Sequence, residues 1–117
     1  MYDNRPKEVI TWTLGQSGQH KRYKVNGLSG SLSKQTIFVW KAPLDSDITI
    51  FFPPYRDPLR IGTQTIKAGE ELIRRLPEDF QEMPQPSPRR IYRYAIYTDS
   101  TGTFAEMNSD PEVIIDE

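Results

Sequence analysis

The sequence predicts an all-β protein: a single antiparallel Greek-key β-sandwich of six or seven strands, with one short helical insertion at about 68–82. Short runs of β-forming residues alternate with turn residues, as they do in sandwiches and small barrels. The chain of 117 residues has ten prolines, a residue that helix interiors exclude. Its last 28 residues hold two β-rich runs around an Asp-Ser-Thr-Gly turn, and an apolar run follows Pro111.

Length and composition limit the classes of protein and site. A chain of 117 residues can bury a core without disulfides or metal, so we expect one domain, with residues 1–8 as a loose arm. The absence of cysteine excludes disulfides, thiolate metal sites and thiol nucleophiles. A net charge of −1 argues against strong binding to duplex nucleic acid. Because no apolar run reaches the roughly 20 residues of a membrane span, we expect no membrane contact and a cytoplasmic protein.

The first predicted element is a β-hairpin. Val9–Leu14 alternates so that Ile10, Trp12 and Leu14 share one face. A turn of glycine, glutamine and serine follows, and Lys21–Val25 returns as the second strand. The two strands are therefore expected to pair antiparallel.

The strongest strand signal lies in the middle of the chain. Gln35–Lys41 holds successive β-forming residues that are apolar on both faces, which predicts a central strand. After a turn, Ile48–Phe52 is predicted to run back as a second strand and to end at Pro53 and Pro54, because neither proline can donate to a ladder. The core-facing residues of this second strand are Ile48, Ile50 and Phe52.

The segment after Thr65 allows two interpretations. Thr65–Glu71 fits a strand that ends in an Ala-Gly turn, whereas Ala68–Leu76 consists of helix formers with apolar residues on one face. We favour a strand to Lys67 and then one or two helical turns. Pro77 can begin a second short helix, since proline suits the first helical position.

The closing strands carry alternating tyrosines. Tyr92 and Tyr94 share a face with Ile96, whereas Arg93 and Tyr97 point to the other side. A buried tyrosine that satisfies a loop, as in many sandwiches, explains one of the first two.

Four segments resemble small bacterial cupredoxin-like β-sandwich proteins. They are Ile48-Thr-Ile-Phe-Phe52, Thr65-Ile-Lys-Ala-Gly69, Tyr92-Arg-Tyr-Ala-Ile-Tyr97 and Asp110-Pro-Glu-Val-Ile-Ile115. The resemblance covers about residues 35–117 and implies a sandwich fold, shared with immunoglobulin-like domains. Copper-binding members carry a cysteine, two histidines and a methionine, and this chain has no cysteine and one histidine. The resemblance therefore implies a copper-free relative.

A protein-binding site is predicted where aromatic residues and prolines cluster at a strand end. Rigid apolar side chains lose little entropy on binding, so such a surface suits a partner. The residues are Phe51, Pro53, Pro54, Tyr55 and Arg56. The alternative is that Phe52 fills the core and the prolines only end the strand.

A second candidate site combines cations and tyrosine rings near the C-terminal strands. Arg89, Arg90 and Arg93 with Tyr97 can hold phosphates and stack bases, as in a nucleotide-binding pocket. Alternation separates two of the three nearby tyrosines from the cations, which weakens this interpretation.

Catalytic and metal sites find little support in the sequence. His20, the single histidine, lies in a polar turn, and no nucleophile and carboxylate set accompanies it. Asp45 and Asp47 form only a weak cation candidate. We therefore expect a non-catalytic binding or assembly module without metal or cofactor, which engages a protein partner or a second copy of itself through the aromatic and proline loop or a sheet edge. The alternative is a protein that binds a small ligand or nucleotide.

Overall fold

The computed structural model describes residues 5–17, 20–76, 90–105 and 111–116, and this part of the chain is all-β. The strands in it are β1 (Lys7–Val9), β2 (Trp12–Ser17), β3 (His20–Val25), β4 (Leu28–Ser31), β5 (Ile37–Lys41), β6 (Ile48–Phe51), β7 (Thr63–Ile66), β8 (Glu71–Arg75), β9 (Arg90–Arg93), β10 (Ala95–Thr98), β11 (Thr103–Phe104) and β12 (Glu112–Asp116). A single 3₁₀ turn, Pro54–Arg56, interrupts the described strands. Within these residues, no helix has the length and apolarity needed to cross a membrane.

The first sheet has the order β1-β5-β8, with β5 in the centre as the sequence predicts. β5 pairs parallel with β1 and antiparallel with β8. Its residues Ile37, Phe38, Val39 and Trp40 are all buried, which confirms a strand that is apolar on both faces. Phe38 and Trp40 face the main core, since alternation directs them to the same side.

The second sheet is antiparallel, with the order β11-β10-β6-β7. Its inner face carries Ile48, Ile50, Ile66 and Ile96, which belong to the core. Phe52, directly after β6, is also buried, and this confirms the predicted inward alternation of that strand. The backbone N–H of Phe52 donates to the carbonyl of Gly62, 2.9 Å away, so the pairing continues past the end of the strand.

The third sheet places β12 between β4 and β9. β12 runs parallel to β4 and antiparallel to β9. Tyr94 joins β9 to β10, and its N–H donates to the carbonyl of Pro111 at 2.9 Å. One nearly continuous stretch, 90–98, therefore passes from the third sheet into the second. β2 and β3 form the predicted hairpin separately from these sheets.

Three aromatic side chains from different parts of the fold meet in the core. The rings of Phe52 and Tyr94 are stacked, with centroids 4.7 Å apart and planes 5° from parallel. Trp40 meets both edge-on, at 6.2 Å from Phe52 and 5.9 Å from Tyr94. Stacked and edge-to-face pairs both avoid the repulsive face-to-face geometry. The cluster fixes β5, the end of β6 and the junction after β9 against one another.

The structure corrects the predicted helical insertion and the predicted strand directions. The helical insertion is wrong over Glu71–Arg75, which is a strand, because pairing with the buried β5 outweighs the helix propensity of these residues. Gly69, at φ 76°, reverses the chain just before it. The rest of the predicted insertion, 77–82, lies outside the described residues. The all-antiparallel pattern is wrong for two pairs, β1 with β5 and β4 with β12.

The strand count also differs, because several predicted strands are divided into shorter ones. The predicted strand Val9–Leu14 is split after Val9: the N–H of Ile10 donates to Val39, and the N–H of Thr11 donates to the side chain of Asn26. Similarly, Tyr94 separates β9 from β10 where the chain changes sheet. Lys7, assigned to the N-terminal arm, begins β1.

Candidate binding groove

The second sheet has an outer face that is built from its alternate residues. In β6 the buried Ile48 and Ile50 point inward, so Thr49 and Phe51 point outward. The cross-strand register then places the partners of these two residues on the same face. We call the following seven residues the outer face: Phe104, Tyr97, Ala95, Thr49, Phe51, Thr63 and Thr65.

The outer face has no charged residue, although 26% of the chain is charged. Side chains on the exposed side of an antiparallel sheet are usually polar or charged, because they meet water. Here Phe51 is 37% exposed and Phe104 is 53% exposed. Loss of charge combined with aromatic enrichment is the composition of the centre of a protein interface.

The three aromatic rings of the outer face form one cluster. Phe104 lies 5.5 Å from Tyr97 in an edge-on arrangement and 6.3 Å from Phe51 in a tilted one, both measured between ring centroids. Beside them, the hydroxyls of Thr49 and Thr65 are 3.2 Å apart. The planes of the three rings are tilted relative to one another, so the cluster forms an irregular apolar surface and not a flat platform for stacking.

A groove of about 740 Å³ opens at the end of this face, where Tyr94 carries the chain from one sheet to the other. Its aromatic and proline walls come from Phe51, Phe52, Pro53, Tyr94 and Phe104. Smaller side chains and one cation complete the described lining: Thr63, Ala95, Ala105, Pro111 and Arg93. Phe52 and Tyr94 are the stacked pair of the core, so the groove has a rigid floor.

The groove contains part of the predicted protein-binding site. Phe51 and Pro53 line it, and Pro54, Tyr55 and Arg56 form the adjoining 3₁₀ turn. The guanidinium of Arg56 is directed to β9. Its Nη2 donates to the carbonyl of Ile91 at 2.7 Å. Arg56 therefore anchors the turn to the third sheet and is engaged within the molecule.

The ring of Tyr92 completes this anchor. The guanidinium carbon of Arg56 lies 5.7 Å from the centroid of that ring, within the range of a cation–π interaction. Tyr92 is itself buried, as is Tyr94, so the predicted common inward face of these two tyrosines and Ile96 is confirmed.

The predicted cation and tyrosine site is divided by the structure. Arg93 is exposed and lines the groove, while Tyr97 belongs to the outer face through its contact with Phe104. Arg90 lies in β9, and Arg89 lies outside the described residues. Arg93 is thus adjacent to Phe51 and Pro53, so residues from two separately predicted sites share one groove.

A carboxylate cap supports the proline side of the groove. The two oxygens of Asp57 accept hydrogen bonds from the backbone N–H groups of Ile61, at 2.9 Å, and Gly62, at 2.7 Å. Gly62 has φ 64°, a conformation that glycine adopts without a Cβ penalty. The carbonyl of Gly62 accepts a hydrogen bond from the N–H of Phe52, directly after β6. The cap therefore also holds the position from which Pro53 continues the chain.

Several groove residues could not be predicted from the sequence. Phe104, Ala95, Ala105 and Pro111 come together only through the pairing of β10 with β11 and the contact of Tyr94 with Pro111. β11 has only two residues, Thr103 and Phe104, and therefore gives almost no periodic signal. It could not be linked to Phe51, because sequence spacing does not indicate which strands are neighbours.

The two aspartates that were weighed as cation ligands have structural hydrogen bonds. Asp45 accepts from the hydroxyl of Tyr23 at 2.7 Å, and this bond, more than burial, raises the pKa of Tyr23. Asp47 accepts from the N–H of Ala68 at 2.9 Å, which, together with Lys67, lowers the pKa of Asp47. In the described ranges, no group of three or more histidine, cysteine, aspartate or glutamate residues could hold a metal ion.

Comparison of the chain with models of protein families gave no match, and comparison with curated proteins gave no significant match. The resemblance to copper-free cupredoxin-like sandwiches therefore stays a prediction, based on the four segments in which it was seen.

Proposed function

We propose that this protein is a non-catalytic binding module that engages a protein partner through the outer face and its groove. The observation that carries the proposal is the combination of three clustered aromatic rings with a complete lack of charge on an exposed sheet face. Exposed apolar clusters of this kind mark interaction sites, because water contact with them is unfavourable. The rigid floor of the groove reduces the entropy that binding would cost.

The contact site differs from the one predicted from the sequence. The sequence favoured the loop from Phe51 to Arg56, whereas the groove uses Phe51 and Pro53 from that loop together with Phe104 from β11. Arg56 acts as an internal anchor of the turn. A partner side chain that enters the groove would meet its aromatic and proline lining.

Paired variants with a matched control test the proposal. Phe51→Ser with Phe104→Ser removes the exposed rings, and Leu14→Ser removes a similarly exposed apolar side chain, 49% accessible, from the hairpin. Tagged wild-type and variant proteins are purified from their native cells, and co-purifying proteins are quantified by mass spectrometry. We expect one or more partners to bind wild type and Leu14→Ser alike and to be lost from the double variant.

Two results contradict the proposal. In one, the double variant retains every partner that the wild type has. In the other, Leu14→Ser loses the same partners, which would indicate nonspecific hydrophobic association. Light scattering on the purified protein adds a separate measurement, because self-association that depends on Phe51 and Phe104 would identify a second copy as the partner.

A small ligand is the second candidate, and the dimensions of the groove favour it. A volume of about 740 Å³ lies within the range of roughly 300–1,000 Å³ that ligand pockets occupy. Arg93 beside aromatic walls is the chemistry predicted for a nucleotide site. Nucleotides that raise the melting temperature of the wild type, but not of Arg93→Ala, would favour this function over protein binding.

For the architecture, we infer that the sheets form a Greek-key sandwich of the copper-free cupredoxin-like kind. The support is that Trp40, Phe52 and Tyr94, contributed by different sheets and their junction, share one core. A crystal structure would test this architecture by showing how the strands are connected and whether the sheets pack face to face. A closed barrel would contradict it.

A further inference from the structure

We propose that the groove binds a segment of a partner protein in which an aromatic or large aliphatic side chain lies next to a carboxylate. The inference rests on the proposed function and specifies the chemistry of the partner. The apolar side chain would pack against the exposed rings of Phe51 and Phe104, which contact each other, and the carboxylate would pair with Arg93.

The charge of the groove comes from one side chain. Of the ten described residues that line it, Arg93 is the only charged one. Its side chain is 66% exposed, so its guanidinium is accessible from the groove. An apolar groove with one accessible cation selects an apolar ligand with one accessible anion.

The internal partner of Arg93 does not satisfy it. Its Nε lies 4.0 Å from Oε2 of Glu112, the outer limit of an ion pair, and the side chain of Glu112 is only 19% exposed. An ion pair at the limit of the distance range contributes little. The two terminal nitrogens of Arg93 have no hydrogen-bond partner among the residues that the structure describes. These nitrogens form the fork that binds a carboxylate through two parallel hydrogen bonds.

Arg56 provides the contrast that singles out Arg93. Both arginines lie near the strand junction, but Arg56 is occupied by the carbonyl of Ile91 and by the ring of Tyr92. A carboxylate that approaches the groove therefore meets one available cation.

Selection from a peptide library tests the inference directly. The probe is a displayed library of random decapeptides, selected on the purified wild-type protein. We expect enriched peptides to combine an aromatic or large aliphatic residue with aspartate or glutamate within two positions. The affinities of synthetic copies for the protein are then measured by fluorescence anisotropy.

Four measurements on one enriched peptide complete the test. Arg93→Gln should weaken binding about tenfold or more, as expected for loss of charge-assisted hydrogen bonds. The control, Arg74→Gln, removes an arginine of β8 whose one hydrogen bond among the described residues is to the neighbouring carbonyl of Ile73, and it should change affinity less than about twofold. Replacing the acidic residue of the peptide by its amide should weaken binding to wild type equally, but should not weaken binding to Arg93→Gln further.

The outcomes separate this inference from the proposed function. If the peptides bind wild type and Arg93→Gln equally, the carboxylate inference is overturned. If these same peptides no longer bind Phe104→Ser, the proposed function is still supported. If no enriched peptide depends on Phe104, both fail. Thermal melting establishes that each variant is folded, and the amide substitution in the peptide tests the charge without altering the protein.

Discussion

The indole nitrogen of Trp40 donates a hydrogen bond to the phenolic oxygen of Tyr94, 3.1 Å away, and both side chains are buried. Trp40 belongs to the central strand of the first sheet, and Tyr94 is the residue at which the chain passes from the third sheet to the second. Burial raises the pKa of Tyr94, so its hydroxyl stays protonated over the whole ordinary pH range.

Tyr94→Phe should lower the free energy of unfolding by about 1–3 kcal/mol, because it leaves the buried indole N–H without an acceptor. Urea denaturation followed by tryptophan fluorescence measures the change. Tyr97→Phe is the control, since the hydroxyl of Tyr97 has no hydrogen-bond partner among the described residues and its ring is half-buried; its effect should stay within about 0.5 kcal/mol. Equal effects of the two variants would contradict the assigned bond.

Gly30→Ala should destabilise the protein by about 1–3 kcal/mol, because a Cβ at this position overlaps the ring of Phe38 and lies 3.0 Å from the Cβ of Thr36. Gly15→Ala is matched to it, as a strand glycine whose added Cβ would have only ordinary contacts at 3.6 and 3.7 Å. We expect that change to be smaller than about 1 kcal/mol. Thermal melting measures the stability of both variants. If Gly30→Ala is as stable as wild type, the close packing of β4 on β5 is contradicted.

Asp47→Asn should lower the melting temperature at neutral pH. The N–H of Ala68 and the ammonium of Lys67 hold the pKa of Asp47 below its usual value. A carboxyl with a depressed folded pKa stabilises the fold above its unfolded pKa of about 3.9, and this contribution disappears as the pH falls through the folded value. The difference in melting temperature between wild type and variant should therefore shrink below about pH 4. A gap that is constant from pH 7 to pH 2 would contradict the prediction.

Asp57→Ala should lower the free energy of unfolding by about 1–3 kcal/mol, since the N–H groups of Ile61 and Gly62 lose their acceptors. Asp57→Asn retains one acceptor oxygen and should cost about half as much. Both are measured by urea denaturation. If the capped loop positions the groove, Asp57→Ala should also weaken any ligand that depends on Phe51, whereas Gly15→Ala should not. An equal cost for the alanine and asparagine variants would contradict the two-bond cap.

Strand existence could be predicted from the sequence more reliably than strand pairing. The apolar residues on both faces of Gln35–Lys41 indicate a central strand, and the regular alternation of Ile48–Phe52 indicates a strand with one buried face. Glu71–Arg75 was misassigned because Leu72 and Ile73 fit a helix face as well as a strand, and only the buried β5 beside them decides between the two. Local propensity cannot include a neighbour that is 30 residues away.

The groove was half predictable for the same reason. Phe51, Pro53 and Arg93 were each marked by composition or spacing, but in two unrelated sites. Phe104 escaped because a two-residue strand gives almost no periodic signal. Their common location depends on the register between β6, β10 and β11, which is a property of long-range pairing.

The central position of β12 determines when this protein can fold during its synthesis. Residues 112–116 separate β4 from β9, so the third sheet cannot assemble while these residues are still inside the ribosome. Until they emerge, the strand edges of β4 and β9 have no partner between them, and unpaired edges are where nascent chains associate. A stop codon just before Glu112 would therefore yield an aggregating product. The groove, which depends on the contact of Tyr94 with Pro111, would form only once this part of the chain has emerged.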